Sequence, residues 1–406
     1  MTRFLFVMAW RNLWRQKRRT GLTLAAIMVG IACLVFFISL MTGFSKRLVL
    51  LGTETMKGEA QIHVKGFVDT HDMELIITDA AALIHKLEAS PPIRAVSPRL
   101  YSPALAAMGD RSVSIEIIGI DPDREKNISN WEKHLWKGNY IQKPGEIMLG
   151  KKLAEKLELD IGGKLVLTVA EIESGELNSQ LFVVAGIVWS QNPQLNEMVG
   201  IVNLSDAGSL SGTVGAVHEI AMKLNGDTSS SLAIHQSCDP LLGEPFELHS
   251  WQELLPEVTF LLNFQEYFMG FAFVIIMFLV AMGMVNTMGM AILERIREFG
   301  VLQALGTKPA MLIKMVMFEF VWLGVLGVTA GVFIGWAITL WLGTVGIPLG
   351  QVEVTGFLLT EPLHPLMDWL RTIIYAVIFC MFIPVFTLVP IHRITKLDTV
   401  NALRFS

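Results

Sequence analysis

The segment Asn286–Gly306 reads NTMGMAILERIREFGVLQALG and concentrates charge between two apolar stretches. Glu294, Arg295, Arg297 and Glu298 fall within five residues, so one helical turn would present acid beside base. Such a group does electrostatic docking rather than bond chemistry. It can receive a push from a soluble partner, or it can be an ordinary charged loop. Glu319 lies in the apolar run downstream. An acid inside a membrane segment is costly and therefore a functional candidate, although Lys314 or Arg295 could neutralise it. No catalytic residue is expected elsewhere. The nine histidines are scattered, with no H-x-x-x-H or C-x-x-C spacing for a metal and no G-x-S-x-G elbow. Asp121-Pro122-Asp123 and the acids of 171–176 read as solvated turns. There is also no G-x-x-x-x-G-K-[ST] loop to cradle ATP phosphates.

The elements that position these groups follow from composition. Of the 406 residues, 52% are hydrophobic and 17% charged, against about 25% charged in soluble proteins. A membrane protein with a sizeable aqueous domain is expected. Four stretches supply the roughly 20 apolar residues a span requires: 21–43, 268–293, 315–343 and 372–391. Basic residues crowd 1–20, 294–314 and the tail, whereas 344–371 offers only Arg371. The excess places both termini and the 294–314 loop in the cytoplasm. The first apolar run is too long for a cleaved signal peptide and reads as a retained anchor. Within 1–20, Phe6, Trp10 and Leu13 share one helical face and Arg11, Arg15 and Arg18 the other, a pattern for an interfacial helix on anionic lipid headgroups.

Residues 44–265 then form the outer domain, with 18 basic and 29 acidic residues. That balance, like the net charge of −5, gives no reason to expect nucleic acid. Alternating β-branched runs predict strands at 60–64, 112–118, 164–169 and 181–188, and helical periodicity appears at 78–90, 150–159 and 229–238. The domain is read as α+β. Its three-cysteine chain has a single cysteine in this domain, so no disulfide forms within it. In the third span Gly327, Gly331 and Gly335 make consecutive small-xxx-small steps, a helix-packing face. Pro384 and Pro390 should kink or end the fourth span.

The order of parts resembles the FtsX-like/MacB-type permeases of ABC transporters over essentially the whole chain. The residues that carry it are Ala9-Trp10-Arg11-Asn12-Leu13, the ER-x-RE-x-G-x-L-x-A-x-G run from Glu294 through Gly300 to Gly306, Glu319 with its downstream glycines, and Pro390…Arg393…Ala402-Leu403-Arg404. Val96-Ser97-Pro98-Arg99, Gly119-Ile120-Asp121-Pro122 and Glu146-Ile147-Met148-Leu149-Gly150…Leu153-Ala154…Leu157 look most like the lipoprotein-releasing (Lol-type) branch. Phe299 departs from the family's small aliphatic residue, and Thr399 from its frequent proline.

The resemblance implies a fold of four transmembrane α-helices with a large α+β periplasmic domain, of porter-like and sabre-like lobes, inserted between the first and second spans. In order, these are a cytoplasmic interfacial helix (1–20), span one (21–43), the periplasmic domain (44–265), span two (268–293), a cytoplasmic coupling helix and loop (294–314), span three (315–343), a short periplasmic loop (344–371), span four (372–391) and a cytoplasmic tail (392–406). It implies a bacterial inner-membrane permease subunit, itself no enzyme and without cofactor, whose ATP and Mg are bound by a separate ATPase. A second permease chain, a lipoprotein cargo and a periplasmic carrier or adaptor complete the implied partners, with membrane lipids around them. Motion of the coupling helix would be passed to the outer domains by mechanotransmission, releasing lipoproteins from the inner membrane. Acylated cargo would enter by a rim of Phe36, Phe37, Leu40, Met41, Tyr267, Phe268 and Phe271, residues that equally suit plain lipid contact. MacB-type efflux of a drug, peptide or toxin, and FtsX-like signalling to a periplasmic hydrolase, stand as alternatives.

Overall fold

The structure, a computed structural model, describes residues 10–11, 14–15, 17–226, 228 and 230–395. Two compact units emerge: 1–46 with 262–348 and 362–406, and 47–261 with 349–361. Among the described residues four helices are long and apolar enough to cross a membrane. They are α1 (Lys17–Gly52), α2 (Pro256–Glu294), α4 (Pro309–Val345) and α5 (Trp369–Thr395), with the short α3 (Ile296–Ala304) between the second and third. Proline at the first position opens both α2 and α4, where its missing N–H has no helical partner to lose. With 39 residues, α2 is about 58 Å long, well beyond the roughly 30 Å of a bilayer core. It starts twelve residues before the apolar run that defines the span, and polar Glu257, Asn263, Gln265 and Glu266 lie in that extension. Helix α5 continues through Pro384 and Pro390 rather than stopping at either, because a proline forfeits one backbone bond that packing can offset.

The helical unit has its own core. Ile31, Leu34 and Ile38 of α1 meet Phe273 and Met284 of α2, Leu323 of α4, and Phe379 and Ile383 of α5. The opposite faces are apolar and exposed, as at Phe278, Met282, Trp341 and Leu370. A helix hydrophobic on all sides belongs in a core or in lipid, and here only one side is covered by protein.

Among the described residues the main sheet of the second unit has ten strands: β1 (Ala60–Val64), β2 (Ile93–Met108), β3 (Arg111–Ile120), β4 (Leu135–Gly138), β5 (Glu146–Gly150), β6 (Lys164–Ala170), β7 (Leu177–Val188), β8 (Val199–Asn203), β9 (Glu219–Leu224) and β10 (Phe246–Ser250). Pairings β2–β3–β8–β5–β7–β6 return to β2 and close a six-stranded barrel. Alternate side chains fill it, including Ile117, Leu165, Leu167, Phe182 and Val184. The first part of β2 leaves the barrel and pairs with β9, which continues the sheet through β1 to β10. Early and late chain therefore meet in one sheet, with the barrel built from the middle.

The expectation for 344–371 needs correction. It contains a hairpin, β11 (Val352–Val354) and β12 (Phe357–Leu359), that belongs to the larger unit. Leu358 N–H donates to the Gln191 carbonyl at 2.6 Å, and Phe357 and Leu359 are buried. The segment is too apolar at these two positions to remain a solvated loop.

The segments that resemble the Lol-type branch prove to be determinants of this fold. Asp121 caps the short helix Pro122–Glu125 by accepting from Asp123 and Arg124 N–H at 3.1 and 3.3 Å, which delivers Glu125 to the interior. There Arg99 donates to Glu125 at 2.6 Å and to Glu219 at 2.8 Å, and all three are almost completely buried. Ser97 and Ser129 hydroxyls also donate to Glu125, and Tyr101 to Glu219. Gly150 is required by close approach: a Cβ would lie 2.3 Å from the Leu195 carbonyl oxygen. Replacing Arg99 by Met should strand two buried carboxylates at a cost of about 3–5 kcal/mol. Denaturant unfolding of the full chain in detergent, followed by tryptophan fluorescence, would register the loss. An unchanged midpoint would refute it.

Candidate coupling site

Helix α2 ends at Glu294, and Arg295 leaves helical geometry with φ −107° and ψ 11° before α3 resumes. This break frees the Arg295 side chain to reach two carboxylates. Its Nε donates to Glu298 at 3.2 Å, and Nη1 to Glu319 at 3.1 Å. Of the two cations that could neutralise the acid of α4, the structure thus pairs Arg295. Both side chains are only about one-tenth exposed, 11% and 10%, so separating them would leave an uncompensated charge in a low-dielectric setting. The Arg295 guanidinium also lies 5.5 Å from the Phe299 ring centroid.

Two further arginines reach the same acids. Arg15 donates to Glu298, and Arg19 to Glu294 at 2.8 Å. The result is an alternating row, Arg15–Glu298–Arg295–Glu319, joining the N-terminal segment, α3 and α4. For Arg15 this corrects the headgroup expectation, because a carboxylate is its partner here. Arg11 and Arg18 are exposed; Phe6 and Leu13 lie outside the described residues. Partial burial works against ionisation of Glu298, but hydrogen bonds from Arg15 and Arg295 hold its carboxyl below the usual carboxylate range. The Arg15 contact is 61% exposed on the arginine side, which limits it to roughly 0.2–1 kcal/mol. It orients more than it binds. Arg297 is exposed on α3, so it is open to a partner.

Apolar packing fixes α3 from beneath. Phe299 is 1% exposed and sits with Met288 and Ile292 of α2 and Leu312, Met315, Val316 and Phe320 of α4. The bulky residue at this position fills a cluster at the helix junction. Gly300 is buried beside it. Gly306 ends the helix at φ +93°. Its N–H donates to the Gln303 carbonyl at 2.9 Å and Thr307 N–H to that of Leu302 at 3.0 Å, the two bonds of a Schellman cap. Gly306→Ala should destabilise this cap by about 1 kcal/mol. Hydrogen exchange should quicken in the last turn of α3 and leave its first turn unchanged.

The glycines of α4 face α1. A Cβ on Gly327 would lie 2.6 Å from Ile27, on Gly331 2.7 Å from Ile31 and 2.8 Å from the Met28 carbonyl oxygen, and on Gly335 2.7 Å from Val35. Three residues of α1 at four-residue spacing therefore nest against three glycines at the same spacing, which is close small-residue packing. On another side of α1, Phe37 and Phe268 meet edge-on at 6.0 Å. Phe36, Leu40 and Met41 are half-buried, whereas Tyr267, Phe268 and Phe271 are exposed at 80%, 47% and 62%. The α2 members of the rim face outward, and the α1 members lie partly covered.

This arrangement is that of a transporter's membrane subunit, and the family comparisons agree. Residues 270–398 match the model of the FtsX-like permease C-terminal family, and residues 20–235 that of the MacB-like periplasmic core domain. The chain belongs to the FtsX-like/MacB-type family and is an ABC transporter permease. It is 23% identical over 418 residues to the lipoprotein-releasing system transmembrane protein LolC of Xylella fastidiosa (strain Temecula1), covering 96% of each chain. With LolC of Neisseria meningitidis serogroup B it shares 24% over 418 residues, 96% of this chain and 97% of that one. Among solved structures it is similar to the periplasmic region of MacB from Actinobacillus actinomycetemcomitans, at TM-score 0.37 and 14% identity over 50% of this chain and 93% of that one.

Proposed function

We propose that the chain is the permease subunit of a lipoprotein-releasing machine in a bacterial inner membrane. Both termini and α3 lie in the cytoplasm, and the unit of 47–261 lies in the periplasm, between the first two spans. A separate ATPase binds ATP and Mg and docks on α3 through Glu294, Arg297 and Glu298. A second permease chain, identical or related, completes the pair. Closure of the ATPases moves α3, the rigid Phe299 cluster carries the motion into α2 and α4, and the periplasmic domains expel cargo to a soluble carrier. This is a hinge-type transition driven from a distance. Lipid-anchored cargo enters at the Phe37–Phe268 contact, where acyl chains need no polar partner.

The observation that carries the reading is the full-length similarity to two LolC proteins, joined to a charged helix packed at the junction of two long apolar helices. The test is reconstitution in nanodiscs with the ATPase and a second permease. ATP should release a triacylated lipoprotein to a soluble acceptor. No release, with ATPase activity stimulated by an adaptor protein instead, would replace this reading by MacB-type efflux.

A further inference from the structure

The larger unit encloses a cavity of about 570 Å³, floored by the sheet and walled by 52–57, 254–257 and the β11–β12 hairpin. That volume is within the range of small-molecule sites. Phe67, Leu254 and Phe357 give it an apolar wall, and Glu116 and Lys57 reach it from different elements. Neither the Glu116 carboxylate nor the Lys57 ammonium makes a hydrogen bond or ion pair with a described residue, and they do not pair with each other. Burial pushes the Glu116 carboxyl up, with Lys57 and His71 acting against that rise.

Backbone strain converges on the same place. Among the described residues three non-glycine residues have positive φ, and two of them, His71 at 51° and Thr355 at 48°, line this cavity. A β-branched residue is poorly suited to that region, where the two-residue hairpin turn favours asparagine. The Thr355 hydroxyl is nevertheless buried and has no hydrogen-bond partner. Strained residues gathered on one cavity mark it as a candidate ligand site.

We propose that this cavity binds a small zwitterion with an apolar body. Its ammonium lies against Glu116 and its anionic group against Lys57. Two separated, unpaired charges of opposite sign on one cavity are complementary to a molecule that carries both. Exposed Glu257 and Glu353 on the wall add attraction for the cationic end. A short peptide and an ethanolamine phosphate headgroup share this chemistry. The inference is independent of the cargo assigned above.

The full chain in phosphatidylglycerol nanodiscs, which bring no zwitterionic headgroup, would be titrated calorimetrically with dileucine and with phosphoethanolamine. Saturable binding of at least one is expected, weakened about tenfold or more in Glu116→Gln and in Lys57→Met, the scale of one charge-assisted hydrogen bond. Saturation by dileucine alone assigns a peptide, and by phosphoethanolamine alone a headgroup. Unaltered circular dichroism and unfolding midpoints establish that the charge variants are folded. Failure of both compounds to bind at 10 mM, or equal binding by parent and both charge variants, would overturn the proposal.

Discussion

Glu298→Lys should abolish ATP-driven release while leaving the chain folded and inserted. The substitution sets a third cation between Arg15 and Arg295 and converts two attractions into repulsions. The cost to folding is small, because Glu298 is 41% exposed and such pairs contribute about 1 kcal/mol or less. The Phe299 cluster below, by contrast, is apolar and untouched. What changes is the surface proposed to receive an ATPase, whose sign reverses at its centre. Copurification of the ATPase from detergent and stimulated hydrolysis in nanodiscs are the measurements. Glu298→Gln, which removes charge without reversing it, should be intermediate. The ion pairs hold the Glu298 carboxyl down, so its contribution is present above the ordinary carboxylate pKa. It is lost only as pH falls through the depressed value, and coupling should be flat between pH 6 and 8. Normal hydrolysis and release by Glu298→Lys would remove α3 from the mechanism.

The second large effect is expected at the glycine seam, where two adjacent positions should behave differently. At Gly327 the atoms that a new Cβ would strike all belong to the Ile27 side chain. Gly327→Ala should therefore be relieved by Ile27→Gly but only partly by Ile27→Ala, which keeps the Cβ that lies 2.8 Å away. At Gly331 one obstacle is the Met28 carbonyl oxygen at 2.8 Å, which no side-chain change can remove. Gly331→Ala should cost about 1–3 kcal/mol by overpacking and should not be rescued by Ile31→Gly. Gly331→Leu should separate α1 from α4 and eliminate activity. Thermal unfolding of the detergent-solubilised single and double variants decides this, since packed neighbours reveal themselves by non-additivity. Rescue at both positions, or at neither, would show that the helices pack differently.

Much of this molecule was legible in its sequence. Charge-free apolar runs marked the four long helices, and alternation marked β1, β3, β6 and β7, because both signals are local. The glycine spacing identified a packing face for the same reason, though not which helix it meets. Strand β2 was hidden by Pro98 and Pro103, residues that argue against a central strand. In the structure each proline has a ladder partner on one side only: Pro98 pairs with β9, just before the β3 register begins at Arg99. Pro103 pairs with β3, just before that of β6 begins at Ala104. The candidate coupling site was half legible. Its acids and bases stood together in sequence, but Arg15 and Glu298 are 283 positions apart, a distance across which no pattern speaks. Thr355 and His71 left no signal, since strain belongs to the backbone and not to residue type.

The sixteen residues of β2 have a mechanical meaning. One strand is a stave of the barrel and, further back, a rung of the sheet that holds β9, β1 and β10. The two lobes consequently share a beam rather than a hinge. A twist applied to the sheet must turn the barrel with it, since a strand hydrogen-bonded along its length resists bending far better than a loop. The domain is built as one stiff body and not to flex within itself.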